Sequence, residues 1–271
     1  MLSNHGPAKT GHDVLRHVLL ASLFAVPAAA ADLAPTGTLR AAFLATNPVQ
    51  GRVDPRTGAI TGPVADLMRE LARRIGVPFT ITPVPDAAAV IDQVKTHKVD
   101  IGFLAYEAAR AAQVDFSVPY ARMASAYAVR ADSRFKSSAE VDRAGLKIGA
   151  VKGQSQEIYV SANVKNARIA VMPEMPSNEA LAAMLANGEL DAFAANRQRM
   201  DELARTSPKV RVLTDNFMTV GQAIVVERGN SASRIEELNR FLADVLASGF
   251  VKASLDRAAL AGVDVAPVPQ R

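Results

Sequence analysis

The chain has 271 residues, of which 49% are apolar, 21% are charged and 5% are aromatic, and its formal net charge is +4. This composition fits one or two globular domains with a substantial core, and it argues against a disordered or fibrous chain. The chain contains no Cys, which excludes a disulfide framework, a thiolate zinc site and a cysteine nucleophile.

Three of the four histidines lie within the first 17 residues, and the fourth is His97. A multi-histidine metal site is therefore excluded from the rest of the chain, and we expect no metal and no other cofactor. A Ser-His-Asp triad would have to use His97. Charged residues of both signs are interspersed rather than clustered with aromatic residues, so we expect no nucleic-acid partner.

The first 31 residues have the three parts of a secretory signal peptide. Two basic residues and one acidic residue lie within 1–17, a short apolar run covers 18–26, and Pro27 precedes four Ala at 28–31. The alternative is a buried N-terminal helix. We expect residues 1–31 to be a cleaved signal peptide and the mature chain to begin near Asp32.

Two pairs of segments resemble each other. Residues 37–43 and 145–151 each start at a Gly, carry a basic residue near the start and continue as an apolar strand. Residues 94–105 and 185–196 each run from the end of an apolar helix through a turn and an Asp into a buried strand. The pattern predicts one α/β unit that occurs twice, in two similar lobes, whereas chance similarity of short apolar segments is the alternative.

Helices are predicted between these strands. Residues 64–75 have apolar side chains on one face and end at Gly76, and Ser177 is placed to cap a second helix. Near the C-terminus, Ser233 and Glu236 have the spacing of a capping box. Helices that alternate with short apolar strands indicate mostly parallel sheets, in which ligands bind at the carboxyl ends of the strands.

A turn at residues 153–157 has the features of an anion site. It follows the predicted strand 147–151 and leads into a segment that can be helical, 158–163. A Gly turn before a helix presents backbone N–H groups and the positive end of the helix dipole. The alternative is an ordinary strand-to-helix turn, and the turn lacks the Gly-Lys-Ser/Thr ending of a P-loop.

Arg110 begins the pattern Arg-x-x-x-Val-Asp-Phe-Ser-x-Pro-Tyr. By spacing alone, an Arg in this position is expected to be a solvated helix residue. The whole pattern, however, resembles the signature of the extracellular solute-binding protein family 3, the amino-acid-type periplasmic binding proteins of ABC importers. Further segments resemble that family in the same order, so that the similarity runs from about Leu39 to Ala261. These segments are 58–77, 98–100, 153–157 and 187–192.

The resemblance implies an α/β protein with the two-lobed type II periplasmic binding protein fold. Each lobe would be a mixed, mostly parallel sheet with flanking helices. Residues 33–121 and 222–271 would form lobe 1, and residues 122–221 would form lobe 2. The chain would cross between the lobes twice, near 122–125 and 218–222.

The resemblance also implies a function in import. The protein would bind a small polar, carboxylate-bearing solute, an amino acid or a derivative, and pass it to an ABC permease in the inner membrane. Arg110 matches the residue that clamps the ligand carboxylate, and Gly153, Gln154 and Ser155 match the residues that complete this site from the opposite lobe. We expect a periplasmic monomer.

Departures from the family pattern leave the ligand open. Members that bind α-amino acids usually have an Asp for the ammonium group where this chain has Asn196. An amide cannot neutralise a buried ammonium, so Glu107 or Tyr106 would have to replace it. A position where the family stacks an aromatic ring on the ligand falls on Thr46 or Asn47. The ligand is therefore an α-amino acid, an anion without an ammonium group, or a molecule whose cationic group is held by Glu107.

Two other functions use the same fold. A cleft enzyme of the cyclohexadienyl dehydratase type would use Glu107 or Glu157 as its acid, although Glu157 also suits a structural role in the first turn of a helix. A sensory domain is the third possibility, but no kinase segment follows in this sequence.

Overall fold

The structure is a computed structural model that describes residues 1–2, 32–229, 231–260 and 262–269. The predicted signal peptide lies outside the described residues, apart from its first two. Within the described part of the chain, no helix is both long enough and apolar enough to cross a membrane.

Strands and helices alternate along most of the described chain. The strands are β1 (Leu39–Leu44), β2 (Arg52–Val53), β3 (Ile60–Thr61), β4 (Phe79–Val84), β5 (Ile101–Ala105), β6 (Val114–Arg130), β7 (Lys147–Val151), β8 (Arg168–Met172), β9 (Ala192–Asn196), β10 (Val210–Val212), β11 (Met218–Glu227) and β12 (Val263–Val265). The helices are α1 (Pro63–Ile75), α2 (Ala87–Lys95), α3 (Ala108–Ala111), α4 (Ser155–Asn163), α5 (Asn178–Ala186), α6 (Arg197–Thr206), α7 (Ala232–Ala247) and α8 (Phe250–Ala258), with a 3₁₀ turn at Ser138–Val141.

The predicted repeat is present. In the first unit β1 pairs in parallel with β4 and β5, and in the second β7 pairs in parallel with β8 and β9. The repeated Asp makes the same backbone contact in both units. Asp100 accepts a hydrogen bond from the backbone N–H of Arg40 at 2.8 Å, and Asp191 accepts one from that of Lys147 at 2.8 Å. In the first unit the Arg40 side chain also forms an ion pair with Asp100 at 2.7 Å.

Two long antiparallel strands join the units. β6 has 17 residues and pairs with β11 along its first part and with β9 and β10 along its last part. β11 also pairs with β5, so one hydrogen-bonded path runs through both units in the order β4-β1-β5-β11-β6-β9-β7-β8. We call the paired segments 121–125 of β6 and 218–222 of β11 the ribbon.

The hydrophobic core divides on the two sides of the ribbon. Phe43 and Phe103 belong to a large cluster whose other buried members come from residues 33–121 and 224–266, including α7. Phe193 belongs to a cluster drawn from residues 128–210. Each unit therefore buries its own apolar side chains.

The helix ends agree with the sequence in two places and differ in one. Gly76 ends α1 with φ 73°, and Ser177 caps α5 by accepting a hydrogen bond from the N–H of Ala180 at 3.2 Å. The prediction of a capping box at Ser233 and Glu236 is wrong, because α7 already begins at Ala232. The residue at the cap position, Ser231, donates its hydroxyl hydrogen to Asp115 instead of capping the helix.

Candidate functional site

The carboxyl ends of β1, β5, β7 and β9 meet beside the ribbon. Asn47 follows β1 and lies 3.5 Å from Asn196 at the end of β9, measured from Oδ1 to Nδ2. Arg110 follows β5 and donates a hydrogen bond to the carbonyl of Gly153, which follows β7, at 2.9 Å. Open α/β sheets bind ligands at this edge. We call the space bounded by these four residues the cleft.

Arg110 is the buried cation of the cleft. Its side chain lies on the short helix α3, and the residue is only 7% exposed. The Nη1 atom donates to the carbonyl of Ala105 at 2.9 Å, and Nη2 donates to that of Gly153. Burial lowers the pKa of the Arg110 guanidinium, and the nearby Glu107 carboxylate offsets part of this effect. The expectation from spacing alone, a solvated helix residue, is wrong.

The hydrogen-bond acceptors of Arg110 carry no negative charge. Among the described residues, both of its hydrogen-bond acceptors are neutral carbonyl oxygens. A guanidinium has five N–H donors, so three remain, which is enough for a bidentate carboxylate. An anion that entered the cleft would give this cation a charged partner in a site with little water.

The turn after β7 places a helix N-terminus opposite Arg110. Gly153 adopts a left-handed backbone conformation with φ 72°, Gln154 is the N-cap residue of α4, and Ser155 is its first residue. The Gln154 side chain makes no capping hydrogen bond, and Ser155 is 4% exposed. Glu157 accepts a hydrogen bond from the Gly153 N–H at 3.1 Å, which fits the structural role of this acid in the first turn.

The end of the cleft at Asn47 and Asn196 carries amides. Asn196 Nδ2 lies 3.5 Å from Asn47 Oδ1 and 3.5 Å from the sulfur of Met123. Asn47 Oδ1 also accepts a hydrogen bond from the N–H of Val49 at 3.1 Å, which fixes the orientation of that amide. This end therefore offers hydrogen-bond donors and acceptors without formal charge.

Tyr106 and Glu107 lie between β5 and α3. Tyr106 is 52% exposed, and its ring meets that of Phe116 edge-on with centroids 5.2 Å apart. Glu107 is half-buried and is the N-cap residue of α3, but its side chain makes no capping hydrogen bond. Both residues are neighbours of Arg110 in the chain rather than of the amide pair.

Sequence reasoning missed two buried polar pairs beside the ribbon. Gln50 donates from Nε2 to Oε1 of Gln222 at 3.1 Å, and Gln156 donates to the hydroxyl of Ser125 at 2.8 Å. All four residues are at most 3% exposed. Ser125 and Gln222 are isolated polar residues within apolar strands, and that isolation is the signal that could have found them.

No group of three or more His, Asp or Glu residues that could hold a metal ion occurs in the described part of the chain.

Comparison with known proteins matches most of the chain to one family. The family model for bacterial extracellular solute-binding proteins, family 3, matches residues 39–258. No curated protein has a significantly similar sequence.

Several solved structures share the fold. A mutant of ArgBP from T. maritima is 23% identical, with a TM-score of 0.69 over 85% of this chain and 99% of that one. A protein from Wolinella succinogenes DSM 1740, described as a binding component of an ABC transporter and complexed with lysine, is 22% identical, with a TM-score of 0.70 over 82% and 95%. An ancestral amino acid-binding protein, described as a precursor of cyclohexadienyl dehydratase, is 22% identical, with a TM-score of 0.67 over 82% and 95%.

Proposed function

The chain belongs to the bacterial extracellular solute-binding proteins, family 3, and from this premise we propose that it captures a small carboxylate-bearing solute in its cleft for an ABC importer. The observation that carries the proposal is Arg110, a buried guanidinium whose described acceptors are neutral carbonyls. A buried cation without a hydrogen-bonded anion is costly, and a bound carboxylate would supply that partner.

The proposed motion is a hinge at the ribbon. We take residues 33–121 and 222–271 as lobe 1 and residues 122–221 as lobe 2, which agrees with the separate hydrophobic cores. The hydrogen bond from Arg110 to Gly153 would then join the two lobes, so that the described arrangement is the closed one. A ligand that contacts Arg110 on one side and the N-terminus of α4 on the other would favour closure because it contacts both lobes.

The amide end of the cleft narrows the ligand class. Asn196 and Asn47 can hydrogen-bond a hydroxyl, a carbonyl or an amide, but neither carries a negative charge for an ammonium group. We therefore propose an amino-acid derivative or an organic acid with a polar, uncharged tail in preference to a simple α-amino acid. Glu107 beside Arg110 is the acid that could hold a cationic group at the other end.

A thermal-shift screen of the mature chain against amino acids, organic acids, amines and opines tests this proposal. A ligand at 100 times its dissociation constant should add about 2.7 kcal/mol to the free energy of unfolding. We expect the hits to carry a carboxylate and to compact the protein in small-angle X-ray scattering. A set of hits without any carboxylate would contradict the proposal.

A dehydratase is the second candidate, since Glu107 lies near the buried cation and one structural neighbour is a dehydratase precursor. Incubation with a prephenate-like substrate separates the two functions. Release of product would favour the enzyme, whereas reversible binding of an unchanged ligand would favour the importer component.

The remaining parts of the proposal concern location and assembly. We propose export to the periplasm by a signal peptide that ends near residue 31, contact with an ABC permease, and a monomeric state. N-terminal sequencing of the exported protein and its mass in solution by light scattering test these points. An N-terminus that begins at Met1, or a stable dimer, would contradict them.

A further inference from the structure

A groove of about 380 Å³ lies on the surface of the first unit, outside the cleft. It is formed where the β2–β3 hairpin faces the start of α1 and the end of α8. We call it the basic groove. Its lining residues used below are Pro48, Arg52, Ile60, Asp66, Arg69 and Arg257.

Two guanidinium groups in the basic groove share a single carboxylate. Asp66 accepts hydrogen bonds from Arg257 at 2.7 Å, from Ser254 at 2.6 Å and from Arg69 at 3.0 Å. Burial alone would raise the pKa of Asp66, but the hydrogen bonds from Ser254 and the two arginines hold it below its usual value. Asp66 is therefore ionised and offsets one of the two positive charges of these arginines.

Arg52 is a third cation that lines the groove. It is exposed, and its side chain has no hydrogen-bond or ion-pair partner among the described residues. The groove therefore carries a surplus of about two positive charges, and Arg69 and Arg257 are 63% and 60% exposed. Single ion pairs at such exposed arginines contribute little free energy, so a small free anion would bind weakly.

The surface between the arginines is partly apolar. Pro48 and Ile60 line the groove together with two alanines. A segment that combines apolar side chains with carboxylates would cover this surface and meet several arginines at once, which a small ion could not do.

The basic groove and the cleft share one loop. Asn47 contacts Asn196 in the cleft, and the next residue, Pro48, lines the groove. The loop is tied down on both sides, because the Gln50 carbonyl accepts a hydrogen bond from the first N–H of α1, that of Val64, at 2.9 Å, while its side chain accepts one from Leu44 at 2.9 Å. A partner in the groove would therefore contact the loop that also carries Asn47 of the cleft, and Asn47 reaches Asn196 of the second unit.

Resting on the function proposed above, we infer that the basic groove is a docking surface for an acidic, partly apolar segment of the membrane permease. The surplus charge favours an acidic partner, the apolar lining favours a peptide over a free ion, and the shared loop places the partner beside the cleft residue Asn47.

Site-specific photo-crosslinking tests this inference. Thr61 is exposed and lines the groove, whereas Thr82 is an exposed threonine on β4 that does not line it. The full-length protein with a photoreactive residue at either position is expressed in its host, irradiated, and the membrane adducts are identified by mass spectrometry. We expect Thr61, but not Thr82, to give an adduct with an ABC permease in a segment that contains Asp or Glu.

The charge dependence is tested with a matched pair of variants. Arg52→Glu should lower the adduct yield from Thr61 by about tenfold, whereas Arg56→Glu, an exposed arginine on the same hairpin but outside the groove, should not. Because Arg52 has no partner to lose, a folding defect is not expected, and an Asp-to-Arg change in the crosslinked permease segment should restore the yield of Arg52→Glu.

Equal adducts from both threonines, or a yield that Arg52→Glu leaves unchanged, would overturn the inference. So would Arg52-dependent sedimentation with phosphatidylglycerol vesicles in the absence of the permease, because the groove would then bind lipid headgroups. Failure of the proposed function would be detected separately, because the wild-type protein would then bind no carboxylate in the thermal-shift screen.

Discussion

Replacement of Arg110 is the sharpest test of the cleft. Arg110→Gln removes the charge and keeps a polar side chain, while Arg110→Lys keeps the charge but loses the planar fork of donors. The residue is 7% exposed, so a carboxylate bound to it would be largely removed from water. In Arg110→Gln the ligand anion would stay buried without a charged partner.

The size of the effect follows from that burial. Truncation of one partner in a buried, hydrogen-bonded charge pair costs about 2–5 kcal/mol. Since about 1.4 kcal/mol is tenfold in affinity, we expect the dissociation constant of Arg110→Gln to rise between roughly 30-fold and several thousandfold. Arg110→Lys should lose less, because a point charge remains. The unliganded Arg110→Gln protein should lose little stability, since the cost of burying the cation disappears together with its hydrogen bonds to Ala105 and Gly153.

Isothermal titration calorimetry with a carboxylate from the thermal-shift screen measures the effect. Arg69→Gln is the matched control, because Arg69 is 63% exposed and lies outside the cleft. Its dissociation constant should stay within about twofold of the wild-type value. If Arg110→Gln binds as tightly as Arg69→Gln, the guanidinium does not hold the ligand anion and the reasoning is refuted.

Three further predictions address selectivity, packing and pH. Asn196→Asp adds a carboxylate at the amide end of the cleft and should raise affinity for α-amino acids over matched acids without an ammonium group by about tenfold; equal gains by calorimetry would contradict the assignment. Gly102→Ala would place a Cβ 2.6 Å from Val90 Cγ1 and should lower the free energy of unfolding by about 1–3 kcal/mol in urea titrations. Hydrogen bonds from Arg73 and Arg74 lower the pKa of Glu70 from 4.5 to about 2. A lowered folded-state pKa stabilises the protein above pH 4.5, and the effect is lost as pH falls towards 2. The stability difference from Glu70→Gln, at most about 1 kcal/mol for these surface ion pairs, should therefore vanish over that range.

The sequence predicts the repeated units well because their signals are local. Gly76 and Ser177 mark helix ends through the backbone within a few residues of each. The strands follow from apolar runs. Asp100, just before β5, accepts a hydrogen bond from the backbone of β1 at Arg40, and Asp191, just before β9, accepts one from the backbone of β7 at Lys147. The helix start predicted at Ser233 is wrong, and the contact at the observed start is long-range. Ser231 donates a hydrogen bond to Asp115, which lies 116 positions earlier in the chain.

The cleft is harder to predict from the sequence, because long-range contacts form it. Arg110 and Gly153 are 43 positions apart, and Asn47 and Asn196 are 149 positions apart. No local pattern distinguishes an arginine that is buried by the opposite unit from one on a solvated helix. The resemblance to a family, rather than spacing, singled out Arg110, and its role in binding stays a prediction.

The ribbon also restricts how the length of this chain can change during evolution. Side chains alternate between the two faces of a strand, so a one-residue insertion within 121–125 would turn every later side chain of β6 to the opposite face. Buried Tyr127 and Val129 would then exchange places with their neighbours. In the pairing of β6 with β11, the register shifts only between Gln222 and Val225, at one end of the ribbon. We therefore expect relatives to gain or lose residues in the β2–β3 turn, and to change the ribbon only by matched insertions in both strands.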